Sequence, residues 1–286
     1  MRVAAAQIDV AFGDVEANLE KHLRWIERAQ REGCDLLVFP ELSLVGYSIG
    51  REGYRLALDV EDEKLRRLAG AAGRMGVVFG FVEEHAGAQF FNAAALVRGG
   101  EVIFVHRKLN LANYGAMEEA KHFAEGRYVE TFPLAEGFVG GILLCSDLWN
   151  PALVHLLTLH GATLLLAPTS SSLDLVSGDF TKPSRWDLVL RFYAMLYGLP
   201  IVFANRLGRE DDFEFWGGSR ILGPGGEEVA RAEREETLLV AELDYDAVRR
   251  ARYRLPTVRD SNLELIHREI DRLVHRLGVP ELVRTR

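Results

Sequence analysis

The chain has 286 residues, 48% of them hydrophobic and 27% charged, the balance of a globular protein rather than a disordered or fibrous one. Lys and Arg number 34 against 42 Asp and Glu, a formal net charge of -8, and the two signs are interspersed. That excludes the basic stripe of a nucleic-acid surface and reads as solubility. The opening MRVAAAQIDV is too short for a secretory leader and is broken by Gln7 and Asp9, and no apolar run reaches the roughly 18 residues of a membrane span. The expectation is a cytoplasmic protein with no membrane and no nucleic-acid partner, folded as a single domain over 1–286.

Residues 1–10 read as a strand, and residues 14–30 carry Leu19, Leu23 and Ile26 at helical spacing. Gly33 closes that helix, and DLLVFPE (35–41) follows as a short strand apolar on both faces. The next cycle is a helix over 61–75, a strand over 75–84, and a hairpin over 91–108 that turns at Gly99 and Gly100 and ends in Lys108. VGGILLC (139–145) is another buried strand, residues 151–161 a helix closed by Gly161, and residues 162–170 the strand after it. A helix over 183–198 follows, whose Leu188, Phe192, Met195 and Leu196 face is either core or dimer surface, with core the favoured reading. Strands over 199–208, within 217–232 and over 236–244 come next, then a tail with a helix over 262–277. This alternation predicts a layered α/β protein, with either one mixed sheet or two stacked sheets.

The two cysteines, Cys34 and Cys145, cannot build a disulfide framework, and neither stands in a zinc spacing. The eight histidines are scattered, so neither a metal nor a cofactor is expected. Three apolar runs instead end in a reactive side chain: LLVFPE in Glu41, VIFVHRK in Lys108 and GILLC in Cys145. Sites in α/β folds gather beyond strand ends, where these three could meet. A thiol attacks only as thiolate; an ammonium favours that form and a carboxylate can take the proton, so the set works without histidine. Taken singly, each residue has a plainer account: a solvated Glu, a surface Lys, a small buried Cys. Cys34 keeps that account.

Three blocks, FPELSLVGY (39–47), HRKLNLANYGAMEEAKHFAEG (106–126) and LLCSDLWNP (143–151), resemble the nitrilase superfamily of carbon-nitrogen hydrolases, with supporting stretches in order from residue 1 to about 245. The resemblance implies a Glu41-Lys108-Cys145 triad, with Glu119, eleven after the lysine, as a second catalytic glutamate; Glu118 is the alternative. It implies an α-β-β-α four-layer sandwich that pairs into an eight-layer homodimer, a core over about 1–245, and a tail over about 246–286. Tyr47, Tyr114, Ser146 and Trp149 are the substrate-binding candidates, with Trp216 as a further pocket-wall aromatic.

The implied function is hydrolysis of a small linear carboxamide or carbamoyl compound to acid and ammonia through a cysteine thioester. The likeness leans toward free-standing amidases and the glutaminase domains of NAD synthetases, so a glutaminase that supplies ammonia to a partner synthetase is the alternative reading. A nitrilase comes third and a non-catalytic binding protein last. This chain has Ser146 where many relatives carry a charged residue, a departure that bears on the substrate pocket and leaves the triad intact.

Overall fold

The computed structural model describes residues 1–48, 50–173 and 182–277. In chain order its strands are β1 (Arg2–Gln7), β2 (Leu36–Val38), β3 (Gly76–His85), β4 (Gln89–Arg98), β5 (Glu101–Arg107), β6 (Thr131–Pro133) and β7 (Val139–Ile142). They continue with β8 (Leu164–Thr169), β9 (Ile201–Asn205), β10 (Leu207–Glu210), β11 (Phe213–Trp216), β12 (Arg220–Leu222), β13 (Glu228–Arg231) and β14 (Thr237–Glu242). The helices are α1 (Val15–Arg31), α2 (Gly53–Leu56), α3 (Glu63–Ala72), α4 (Pro151–Leu159), α5 (Lys182–Tyr197), α6 (Tyr245–Arg254) and α7 (Leu263–Arg276).

Two six-stranded mixed sheets result, in the orders β14-β1-β2-β3-β4-β5 and β13-β12-β9-β8-β7-β6. Alternation along each strand decides what each face covers. Val3, Ala5, Leu36, Val38 and Val78 of the first sheet pack on Ile142, Leu164, Leu166, Val202 and Ala204 of the second. Their neighbours Ala4, Ala6, Leu37, Val77 and Phe79 turn the other way, onto Leu19 and Ile26 of α1 and Leu65 and Leu68 of α3. On the far side, Leu165, Ala167, Ile201 and Phe203 meet Val154 and Leu157 of α4 and Trp186, Leu190 and Tyr193 of α5. The order of layers is helix, sheet, sheet, helix. Both faces of both sheets are covered, which is why the strands read as continuous apolar runs.

The helix starts follow local chemistry. Asp14, Asp62 and Asn150 each accept a backbone N–H of the first turn of α1, α3 and α4, and Pro151 occupies the first position of α4, where no N–H is needed.

The expectation contains neither α2 nor β6, and three further elements differ from it. The strand expected over 199–208 splits: β9 ends at Asn205, and β10 turns into a hairpin with β11, pairing Leu207 with Trp216 and Glu210 with Phe213. Helix α6 buries Val248 alone, so DYDAVRRARYR shows no apolar stripe to signal it. The expected core face of α5 is also corrected: Leu188, Phe192 and Met195 are exposed, and Trp186, Leu190, Tyr193, Ala194 and Tyr197 are buried instead. Both faces of α5 are apolar, and only contact with the second sheet distinguishes them. No helix among the described residues is long and apolar enough to cross a membrane. The end of the expected tail, residues 278–286, lies outside the described residues.

Candidate functional site

Glu41 lies three residues past β2, on a turn where Leu42 takes a left-handed φ of 49°. That turn rests directly on Gly80 of β3. A Cβ at residue 80 would stand 2.1 Å from the Leu42 nitrogen and 2.7 Å from the Glu41 carbonyl carbon, both backbone atoms that cannot give way. Ser43 ties the turn down further, its hydroxyl accepting the Gly80 N–H at 3.2 Å and lying 2.9 Å from buried His22. Gly80→Ala is therefore expected to displace Glu41, lowering stability by about 1–3 kcal/mol and activity about 100-fold. A thermal melt and a rate measurement check this, and unchanged activity would mean that the turn does not position the carboxylate.

Lys108 follows β5 immediately, and Gly126 beside it has no room for a Cβ, which would lie 2.2 Å from the Arg107 carbonyl oxygen. The ammonium donates to Glu41 Oε1 at 2.6 Å and to Glu119 Oε1 at 2.8 Å. Of the adjacent pair Glu118 and Glu119, only Glu119 turns inward, at 6% exposure, while Glu118 pairs with Lys121 at the surface. Glu119 is held on every side: Oε1 also accepts the Tyr47 hydroxyl at 2.6 Å, and Oε2 accepts the Ala112 N–H at 2.9 Å.

Cys145 stands at the start of a five-residue 3-10 turn, Cys145–Trp149, three residues past β7, with a left-handed φ of 40°. A non-glycine residue in that conformation costs about 1–3 kcal/mol and persists only where its surroundings hold it. Asp147 supplies the hold. Its Oδ2 accepts the Leu144 N–H at 2.9 Å and lies 3.2 Å from His106 Nε2, while its Oδ1 accepts the N–H groups of Leu109 at 3.0 Å and Asn110 at 2.6 Å. One buried carboxylate thus joins the cysteine turn to the segment that follows the lysine.

Burial dominates the electrostatics. Glu41 and Lys108 have no exposed surface and Cys145 has 8%. Burial acts against the ammonium of Lys108, but Glu119 and Glu41 outweigh it and hold the lysine charged, well above its ordinary pKa. For Glu41, burial raises the proton affinity against the pull of Lys108, with the Glu119 charge adding to the rise. Burial pushes the Cys145 thiol well above its ordinary value, Glu41 adding and Lys108 opposing. The resting cysteine is therefore a neutral thiol within reach of the charges of a strengthened base and a fixed cation.

The aromatic candidates occupy different settings. The Tyr47 hydroxyl is committed to Glu119, and its backbone N–H is held by Glu210, a buried carboxylate paired in turn with buried Arg206. Tyr114 is 42% exposed, its phenol raised above the ordinary value first by burial, which places it at the rim of the site. The Ser146 hydroxyl donates to the Asn110 carbonyl at 2.5 Å. Trp149 packs on Trp186 with ring centroids 4.6 Å apart, and Trp216 stacks on Phe203 in the core beneath α4 and α5. Cys34 is buried away from the site, in the first sheet's helix-facing core.

Three polar residues at the site had no sequence signal of their own. Asn92 donates to Glu41 Oε1 at 2.9 Å, the Ser170 N–H donates to Glu41 Oε2 at 3.0 Å, and Asp147 acts as described. No group of three or more His, Cys, Asp or Glu among the described residues could hold a metal ion.

The sequence profile named carbon-nitrogen hydrolase matches residues 2–253. The chain belongs to the carbon-nitrogen hydrolase family. Within it, the chain is 34% identical over 251 residues to a glutamine-dependent NAD(+) synthetase of Thermotoga maritima, covering 86% of this chain and 42% of that one. It is 26% identical over 287 residues to an N-carbamoylputrescine amidase of Solanum lycopersicum, covering 92% of each. Among solved structures, an amidase from Nesterenkonia sp. AN1 superposes with a TM-score of 0.78 at 27% identity, over 94% of this chain and 99% of that one. In a mutant of that amidase, acrylamide has undergone Michael addition at the active-site cysteine. This carbon-nitrogen hydrolase spans less than half the length of the synthetase and nearly all of the amidases.

Proposed function

We propose that the protein is an amidase that hydrolyses a small linear carboxamide or carbamoyl compound to the acid and ammonia, with Glu41, Lys108 and Cys145 as the triad and Glu119 in support. The observation that carries the reading is the buried Glu41-Lys108-Glu119 chain of hydrogen bonds, whose charges reach a cysteine held in a strained turn. Glu41 takes the thiol proton as sulfur bonds to the amide carbon, and the carbonyl pair moves to oxygen. Lys108 and the Ser146 N–H hold the oxyanion. Protonated Glu41 then passes its proton to the departing nitrogen, so ammonia leaves and a thioester remains. Glu41 next takes a proton from water, hydroxide adds to the thioester, and the acid leaves as the thiol is restored. Glu119 keeps Lys108 charged and aimed. The exposed Leu188, Phe192 and Met195 of α5 suit pairing with a second copy.

A glutaminase that passes ammonia to a synthetase partner is the second reading, favoured by the synthetase relatives. One experiment separates the two: ammonia release from glutamine, asparagine, short aliphatic amides, carbamoyl amines and matching nitriles, with Cys145→Ala beside the parent. Release from short amides or carbamoyl amines that vanishes in the variant is the expected result. Release confined to glutamine moves the protein to the second reading, and undiminished release from Cys145→Ala would sink both.

A further inference from the structure

Asn92 is the one polar side chain among the buried residues of β4, whose buried neighbours are Phe91 and the apolar run 93–97. An amide in such a strand is costly unless it is hydrogen-bonded. Its Nδ2 donates to Glu41 Oε1 at 2.9 Å, and its Oδ1 meets no donor among the described residues. Serving Glu41 is thus the one hydrogen bond this side chain makes among the described residues. Its main-chain carbonyl accepts the Lys108 N–H at 2.9 Å, so a single residue holds the Glu41 carboxylate and the Lys108 backbone together.

The partners of the carboxylate are all donors. Oε1 receives Lys108 and Asn92, and Oε2 receives the Ser170 N–H. Such a shell fits the ionised form and offers a proton on Glu41 nothing to bond to. Lys108 alone does not secure that form, because the same ammonium also serves Glu119. We infer that Asn92 is a positioning residue whose amide holds the Glu41 carboxylate ionised and ready to take up a proton. The inference rests on the hydrolase reading only in taking Glu41 as the base.

The other titratable groups facing Glu41 are Lys108, Glu119, Cys145, Tyr47 and Tyr114, and all of them remain when Asn92 is replaced. A donor to the carboxylate favours its ionised form, so losing that donor raises the proton affinity of Glu41. The acidic limb of any process that needs ionised Glu41 then moves to higher pH.

The test uses Asn92→Leu and Asn92→Asp and reads two profiles against pH: kcat/KM for ammonia release from an amide the parent turns over, and the rate of iodoacetamide alkylation at Cys145, followed by mass spectrometry. In Asn92→Leu both acidic limbs are expected to rise by about one pH unit. In Asn92→Asp the rise is expected to be larger, because a second carboxyl then stands beside the first. Profiles that superimpose on the parent's, with only their height reduced, would leave Asn92 a purely structural residue and overturn the inference. If Asn92→Leu does not fold, the near-isosteric Asn92→Asp decides on the same criterion. Failure of the hydrolase reading would look different: no ammonia from any amide, while the alkylation profile still shifts.

Discussion

Replacing Lys108 by methionine is expected to lower amide turnover at least about 1,000-fold and to destabilise the fold by about 3–5 kcal/mol at neutral pH. Methionine matches the stem of lysine and lacks only its terminal ammonium, so the effect is that of the lost charge and its hydrogen bonds. Glu41 and Glu119 lose donors at 2.6 and 2.8 Å and are left as two buried carboxylates sharing a site. The stability loss has a predictable sign against pH. Burial already raises the proton affinity of Glu41 in the parent, and without Lys108 that rise grows. A carboxyl whose folded pKa lies above its unfolded value, about 4.3, favours folding below that value and loses the contribution as pH rises through the folded pKa. Lys108→Met therefore regains stability relative to the parent on acidification, against the usual direction of acid denaturation. Urea midpoints at pH 5 and pH 8 measure it, and an equal difference from the parent at both would show that the carboxylates are relieved in some other way.

The succession of strands and helices was legible because each apolar run is a local property, but the choice between one mixed sheet and two stacked sheets was not: Val3 and Ala4 face different layers, yet both are apolar letters of one run. The three strand-end residues were legible for the same reason, since each closes a run of its own. Choosing between Glu118 and Glu119 was not possible from an EE pair, because the choice depends on which one reaches Lys108. Asn92 and Asp147 were hidden by distance along the chain. Asn92 serves a residue 51 positions away, and Asp147 clamps two backbone groups 37 and 38 positions away, so neither carries a pattern in its own segment. The hairpin β10-β11 was hidden by shortness, as four-residue strands give no measurable period. Yet this hairpin carries Glu210, which fixes the backbone of Tyr47 and through it the hydrogen bond to Glu119.

Asp147→Asn is expected to reduce kcat about 100-fold with little change in KM, and to lower stability by about 1–3 kcal/mol. The substitution keeps shape and volume but removes the charge and exchanges one acceptor oxygen for a donor group. In the parent, one oxygen takes Leu109 and Asn110 and the other takes Leu144 and faces His106, so every donor is served. An amide has one acceptor oxygen, and its nitrogen must point at backbone N–H groups whichever way it is turned. If the nitrogen faces Leu144, the residue before the strained Cys145 is released; if it faces Leu109 and Asn110, the segment after Lys108 is released. Either way the nucleophile and the cation lose their fixed separation, while the substrate-facing surface is untouched. His106→Asn, which perturbs one of these contacts and leaves the three backbone bonds in place, should cost far less. Steady-state kinetics and thermal melts on both variants test the comparison. Full activity in Asp147→Asn, or a larger loss in His106→Asn, would show that the cysteine turn is held by its own backbone and not by the carboxylate beneath it.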